Sequence, residues 1–116
     1  MAIYENKGQY LLITPSAAYS EEGYKKAIRE ARTLCEQYGL TKILADIRGR
    51  TEYIPAADRF EIGVEIATIL GAKFQFAILA PAAIIDKLGE NAAVNRGGNV
   101  FVTDSLAKAL EWLGVK

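Results

Sequence analysis

Charged side chains that can hold an anion or move a proton gather around one apolar segment, residues 43–47. They are Asp46, Arg48, Arg50, Asp58 and Arg59. A guanidinium binds carboxylates and phosphates through paired N–H donors, and a carboxylate can act as a general base. The group therefore suits the binding of an anion or a partner. It also suits an enzyme in which Asp46 or Asp58 is the base and Arg59 or Arg96 steadies an anion.

Asp46 also has a structural interpretation. An unpaired carboxylate inside an apolar strand is costly, so we expect Asp46 at the end of the strand or matched with a donor. It then either accepts hydrogen bonds from the following loop or contacts a ligand. Arg48, Arg50 and Arg59 likewise form either a solvated basic patch or a contact for an anion or partner.

A second polar group lies at the end of a predicted helix. Asn95 and Arg96 precede Gly97 and Gly98, and their side chains could form a recognition surface beside a loop. A basic residue followed by glycine is also the usual way in which a helix ends, so both interpretations stay open. The glycine pair does not predict a phosphate loop, because it follows a helix and precedes a strand.

Residue counts argue against several kinds of chemistry. Histidine is absent, which disfavours histidine-based proton transfer and most zinc or iron sites. Cys35 is the single cysteine and has no histidine to activate it, so we expect a buried thiol in a reducing compartment. We assign no catalytic residue, metal ligand or cofactor, because no pairing of nucleophile and base is visible.

The charge balance and the apolar runs bear on partners and location. Fourteen basic residues balance fourteen acidic ones, so the broad positive surface of a nucleic-acid binder is not expected. The first ten residues include Glu5 and Lys7 and lack the apolar core of a secretion signal. Residues 74–88 are too often interrupted for a membrane span. We therefore expect a cytoplasmic protein without a nucleic-acid partner or a membrane span.

Strands and helices that would position these residues alternate along the chain. Short apolar runs predict strands at residues 2–6, 9–13, 43–47, 74–80 and 100–102. Apolar residues at three- and four-residue steps predict helices at 21–38, 58–70, 82–95 and 105–113, the first capped by Ser20 and the last by Asp104. This order predicts one α/β domain over residues 1–116. Its single-layer mixed sheet has about five mostly parallel strands with an antiparallel N-terminal edge, and four helices pack on it.

Four short motifs follow one another in a familiar order. They are Leu44-Ala45-Asp46-Ile47-Arg48-Gly49, Asp58-Arg59-Phe60-Glu61, Asn95-Arg96-Gly97 and Ala109-Leu110-Glu111-Trp112-Leu113. Together they resemble the bacterial STAS-like family of mostly uncharacterised proteins, whose fold is similar to that of the sporulation anti-sigma-factor antagonist. The resemblance covers residues 10–113.

The resemblance implies a domain that binds a protein partner or a small ligand, such as a nucleotide or lipid, without turning it over. In anti-sigma-factor antagonists a partner kinase phosphorylates a serine at the start of the helix after this loop. The matching segment here is Ile54-Pro55-Ala56-Ala57, which has no hydroxyl, and Thr51 lies too early to replace it. The resemblance therefore implies a domain without that phosphorylation switch.

We therefore expect a non-catalytic, regulatory binding or docking domain, and assembly into a homodimer is left open. Its predicted contact residues are Asp46, Arg48, Arg50, Asp58, Arg59, Asn95 and Arg96. A carrier of a lipid-like apolar ligand is the alternative, for which a closed pocket would be lined by Phe60, Ile66, Phe74 and Phe76. The enzyme described above is the least favoured interpretation.

Overall fold

Five strands and four helices form the part of the chain that the computed structural model describes, which is residues 2–16, 20–49, 54–82, 85 and 88–115. The strands are β1 (Ala2–Asn6), β2 (Leu11–Pro15), β3 (Lys42–Asp46), β4 (Gln75–Leu79) and β5 (Asn99–Thr103). The helices are α1 (Glu21–Tyr38), α2 (Ala56–Leu70), α3 (Leu88–Val94) and α4 (Leu106–Leu113).

The five strands form one sheet in which spatial order follows chain order. β1 pairs antiparallel with β2, and β2, β3, β4 and β5 are parallel. The predicted α/β class, with its antiparallel N-terminal edge, is therefore confirmed. Because each right-handed crossover steps one strand in the same direction, α1, α2 and α3 share one face of the sheet. α4 follows the last strand and packs on the opposite face.

The two central strands, β3 and β4, are covered on both faces. Ile43 and Phe76 pack under the three-helix layer, whereas Leu44, Ala77 and Leu79 pack under α4. Successive side chains of a strand point to opposite faces, so a strand buried on both sides needs the continuous apolar run that the sequence shows. Both strands thereby confirm the prediction made from their composition.

α1 shows how local sequence sets the ends of an element. The hydroxyl of Ser20 accepts a hydrogen bond from the Gly23 backbone N–H at 3.0 Å, and Gly39 ends the helix with φ of 70°. The predicted cap at Ser20 and the predicted helix end at Gly39 are both confirmed. Glycine suits position 39 because only glycine adopts that backbone angle without a steric cost. Cys35 lies fully buried on the inner face, and its burial raises the pKa of the thiol to about 11. It is a core residue, as expected.

Two predicted boundaries near the N-terminus and the last helix are wrong. β2 begins at Leu11, because the turn that follows β1 is longer than a two-residue hairpin: the Lys7 N–H donates to the Tyr10 carbonyl at 2.9 Å. The cap of α4 is Ser105, whose hydroxyl accepts from the Lys108 N–H at 3.2 Å. Asp104 lies one residue too early to serve, since the capping side chain belongs to the residue just before the first helical one.

The third helix is shorter than predicted. α3 begins at Leu88, and the described residues of the predicted first half, Ala82 and Ile85, precede it. It ends in a Schellman motif, in which the Gly97 N–H donates to the Val94 carbonyl and the Gly98 N–H donates to the Ala93 carbonyl, at 3.0 and 2.8 Å. Helix termination by the glycine pair, one of the two interpretations left open, is therefore shown.

Candidate functional site

Two adjoining apolar cavities lie between the sheet and the layer formed by α1, α2 and α3. Their volumes are about 90 Å³ and about 100 Å³. They share five lining residues: Tyr24, Ile47, Ile62, Ile66 and Ile78. Ile47 and Ala80 directly follow β3 and β4, which places the cavities at the carboxyl ends of the parallel strands. Open α/β sheets bind their ligands in this position.

Small residues leave the space for the first cavity. Gly23 and Ala27 lie on α1 where it crosses the sheet, and Ala45 is the β3 residue beneath. None of the three extends beyond a methyl group, and the larger Ile28 of α1, which is 5% exposed, also contributes to the lining. The N-terminal part of α1 therefore borders the cavity, whereas Ala31 and Cys35 farther along the helix are fully buried in the core.

Polar groups of the described lining are few. Ser20 and Tyr24 contribute hydroxyls to the first cavity, and Arg59 and Glu90 bring the charged side chains of the second. Arg59 lies in the first turn of α2, where one of its terminal nitrogens donates to the Ile54 carbonyl and its Nε is inaccessible to solvent. The site is thus an apolar cleft with a guanidinium at one end.

Glu90 has a separate structural task. Its Oε2 accepts a hydrogen bond from the backbone N–H of Val102 on β5, at 2.5 Å. β5 is an edge strand, and an edge with open N–H groups invites pairing with other chains. The carboxylate of Glu90 therefore covers part of the sheet edge from α3.

Asp46 and Arg48 form a hydrogen-bonded ion pair at the end of β3. The Asp46 carboxylate accepts from Arg48 Nε at 3.0 Å, from a terminal nitrogen of Arg48 at 2.8 Å and from the Arg48 backbone N–H at 3.1 Å. The side-chain hydrogen bonds from Arg48 hold the pKa of Asp46 below its usual value. Asp46 lies at the strand end and is matched with a donor, as predicted, and it accepts from the loop.

The sheet separates this pair from the cavities. Residues two apart on a strand face the same side, and Leu44 packs under α4, so the Asp46 side chain is also directed to the α4 face. Arg59 lines the cavity on the other face. The Asp46–Arg48 pair and Arg59 belong to the region around the carboxyl end of β3, as predicted, but they do not form one site.

The remaining predicted contact residues have different positions. Asp58 lies beside Arg59 in the first turn of α2, and Arg50 lies outside the described residues. Asn95 and Arg96 are exposed in the turn after α3. The Arg96 guanidinium lies 4.9 Å from the centroid of the Phe60 ring and donates to the Ala92 carbonyl at 3.4 Å. Arg96 therefore braces α3 against α2.

Two of the four residues named for the pocket of a carrier line the first cavity. Ile66 and Phe76 line the first cavity, whereas Phe60 lies under Arg96 and Phe74 is packed in the core before β4 begins. The sequence interpretation missed Tyr24, Ile47 and Ile78 as lining residues. The helical spacing of Tyr24 and the apolar runs that contain Ile47 and Ile78 indicate only that these residues are buried. The signal that distinguishes the cavity is the pair of small residues, Gly23 and Ala27, on the same stretch of helix.

In the described parts of the chain, no helix combines the length and the apolar content that crossing a membrane requires. The same residues contain no group of three or more acidic, cysteine or histidine side chains that could hold a metal ion. A search of protein-family models found no match to the sequence, and a search of curated proteins found none either. A functional assignment therefore has to be built from the geometry of the site.

The Asp46–Arg48 pair predicts a pH-dependent contribution to stability. Because the pKa of Asp46 is lowered in the folded protein, its contribution is fully present above the unfolded pKa of about 3.9 and is lost as pH falls through the lower folded value. We expect Asp46→Asn to cost about 0.5–1 kcal/mol near neutral pH. Urea unfolding of mutant and wild type across pH measures this difference, which should shrink below about pH 4.

Asp104→Asn is the matched control, because Asp104 is exposed in another loop. If Asp46→Asn and Asp104→Asn lose the same free energy of unfolding at every pH, the expected stabilisation by the Asp46–Arg48 pair is wrong.

Proposed function

We propose that this chain is a non-catalytic binding domain whose binding site is the pair of adjoining cavities. The observation that carries the proposal is their place and lining: apolar walls, few polar groups, and a position at the carboxyl ends of parallel strands. Ligand sites in proteins combine these features, because apolar walls supply affinity and a few polar groups fix orientation.

The surroundings of Asp46, one of the two aspartates considered for an enzyme, support binding more than proton transfer. Asp46 is held by Arg48, its pKa is lowered, and it faces away from the cavities. A general base works best when its pKa lies near the working pH, so a lowered carboxyl pKa weakens it as a base. The regulatory role, the STAS-like kinship, the homodimer and the cytoplasmic location stay predictions of the sequence.

A carrier of an apolar ligand is the second candidate, and the apolar lining favours it. The volumes of the two cavities indicate the size of the ligand that would fit. An engineered cavity of about 150 Å³ binds benzene, so two adjoining spaces of the size found here suit a ring or short chain of about six to ten non-hydrogen atoms. A small ligand therefore fits the cleft better than a complete membrane lipid does.

Filling the first cavity tests the location of the site. Ala27→Leu places a larger apolar side chain against the gap. With octanol as the probe, we expect binding to wild type, seen as NMR shifts of the isoleucine methyl groups that line the cleft, and at least about tenfold weaker binding to Ala27→Leu. Native mass spectrometry of protein from its own cells then reports any retained ligand and the number of subunits.

Ala107→Leu provides the control, because Ala107 is an exposed residue of α4 and the substitution is the same. It should bind octanol like the wild type. Equal binding by all three proteins, or shifts confined to α4, would show that the cavities are not the site.

A further inference from the structure

We propose that the ligand of the cleft is an unbranched aliphatic chain that spans both cavities, and that Ile62, Ile66 and Ile78 select it against a ring or a branched body. This inference rests on the proposed binding function and adds the class of the ligand. It follows from the division of the cleft into two small spaces by stiff side chains.

Neither cavity is large enough to hold a ring by itself. Their volumes are about 90 Å³ and about 100 Å³. The engineered cavity that binds benzene measures about 150 Å³. A ring would therefore have to lie across the boundary between the two spaces. A chain, in contrast, places some of its atoms in each space, and only the width of one methylene group crosses the boundary.

The residues that line both cavities form the boundary between them. Ile62 and Ile66 lie four residues apart on α2, so they share one face of the helix. Ile78 on β4 and Ile47 after β3 line both spaces from the sheet. Helix and sheet thus approach the boundary from opposite sides. A ligand that occupies both cavities has to pass between their side chains.

Isoleucine makes the walls of this passage stiff. A β-branched side chain in a helix has one strongly preferred χ1 rotamer, so Ile62 and Ile66 swing aside less readily than unbranched side chains would. Ile66 is also 2% exposed and belongs to the core, where neighbours hold it in place. A ring forced between these walls would strain their rotamers or shift the backbone, as overpacking of a core does. The walls therefore discriminate by the cross-section of the ligand.

Three alcohols with the same number of carbon atoms test this selection: straight-chain octanol, cyclooctanol and 2-ethylhexanol. Each carries one hydroxyl, so the probes differ in the shape of the hydrocarbon and not in charge. In NMR titrations of the wild type we expect octanol to bind at least about tenfold more tightly than either of the others. Ile62→Ala removes part of one wall and should reduce that ratio at least about threefold. Ile62→Val should keep most of the ratio, because the branch at Cβ remains.

Ile69→Ala is the matched control, because Ile69 is a half-buried isoleucine of the same helix that packs against the core and is not part of the lining of either cavity. It should leave the ratio unchanged. If no alcohol binds to the wild type, the proposed function itself fails. If octanol binds without a preference over cyclooctanol, or if Ile69→Ala reduces the ratio as much as Ile62→Ala does, the cleft is a binding site and the selection of a chain is overturned. The wild-type ranking decides this even if Ile62→Ala does not fold.

Discussion

Phe74→Ala is expected to lower the free energy of unfolding by about 3–5 kcal/mol. Phe74 is 1% exposed, is among the largest fully buried side chains, and packs in the core under the three-helix layer. Removing the ring costs its transfer free energy and leaves a hole that rigid neighbours only partly close. Urea unfolding followed by the fluorescence of the single tryptophan, Trp112, measures the loss.

Phe60→Ala tests whether the large loss of stability expected for Phe74→Ala comes from the burial of that ring or would follow the removal of any phenylalanine. Phe60 is half-buried, and its ring lies under the Arg96 guanidinium instead of in the core. We expect a loss of about 1–2 kcal/mol. Equal losses for the two variants would contradict the division between a core phenylalanine and a surface one. Because neither ring lines the cavities, octanol binding by Phe60→Ala should match that of the wild type.

The same two residues show how far sequence reasoning reaches. Both were named, together with Ile66 and Phe76, as the lining of a closed pocket that would favour a carrier of an apolar ligand. Hydrophobic periodicity reports which face of an element is buried, and it predicted the elements and the two central strands well. It does not report what each buried side chain meets. The cavity arises where small residues of α1 cross the sheet, and that crossing depends on packing between distant parts of the chain.

The charged residues show the same limit at the site. Asp46 was expected either at a strand end or matched with a donor, because burial energetics require one of the two, and the structure shows both. Its separation from Arg59 depends on the face of the strand from which each residue approaches. A shift of one residue in the pairing register of a strand reverses that face, and the sequence pattern alone does not give the register. Asp46 and Arg59, which belong to the same region of the sequence, therefore lie on opposite sides of the sheet.

Gly98 gives the second large expected effect, and it too depends on packing. A Cβ atom at Gly98 would lie 2.9 Å from the Ala93 carbonyl oxygen, 3.2 Å from the Ala93 carbonyl carbon and 3.3 Å from the Ala67 Cβ. Two of these atoms are backbone of the helix that ends here, so no side-chain rotation relieves the contact. We expect Gly98→Ala to destabilise the protein by about 2–3 kcal/mol in urea unfolding.

Gly49→Ala is the matched control, because a Cβ at Gly49 meets nothing within 4 Å. Its effect should stay within about 0.5 kcal/mol. In the Schellman motif Gly97 supplies the left-handed residue, with φ of 87°, whereas Gly98 contributes a backbone N–H that any residue except proline also has. The stronger reason for glycine at position 98 is that the chain leading into β5 passes close to the ends of α2 and α3. α2 also lines the binding cleft. A neutral Gly98→Ala would show that these elements are packed more loosely than the structure indicates, and that the cleft walls can move apart.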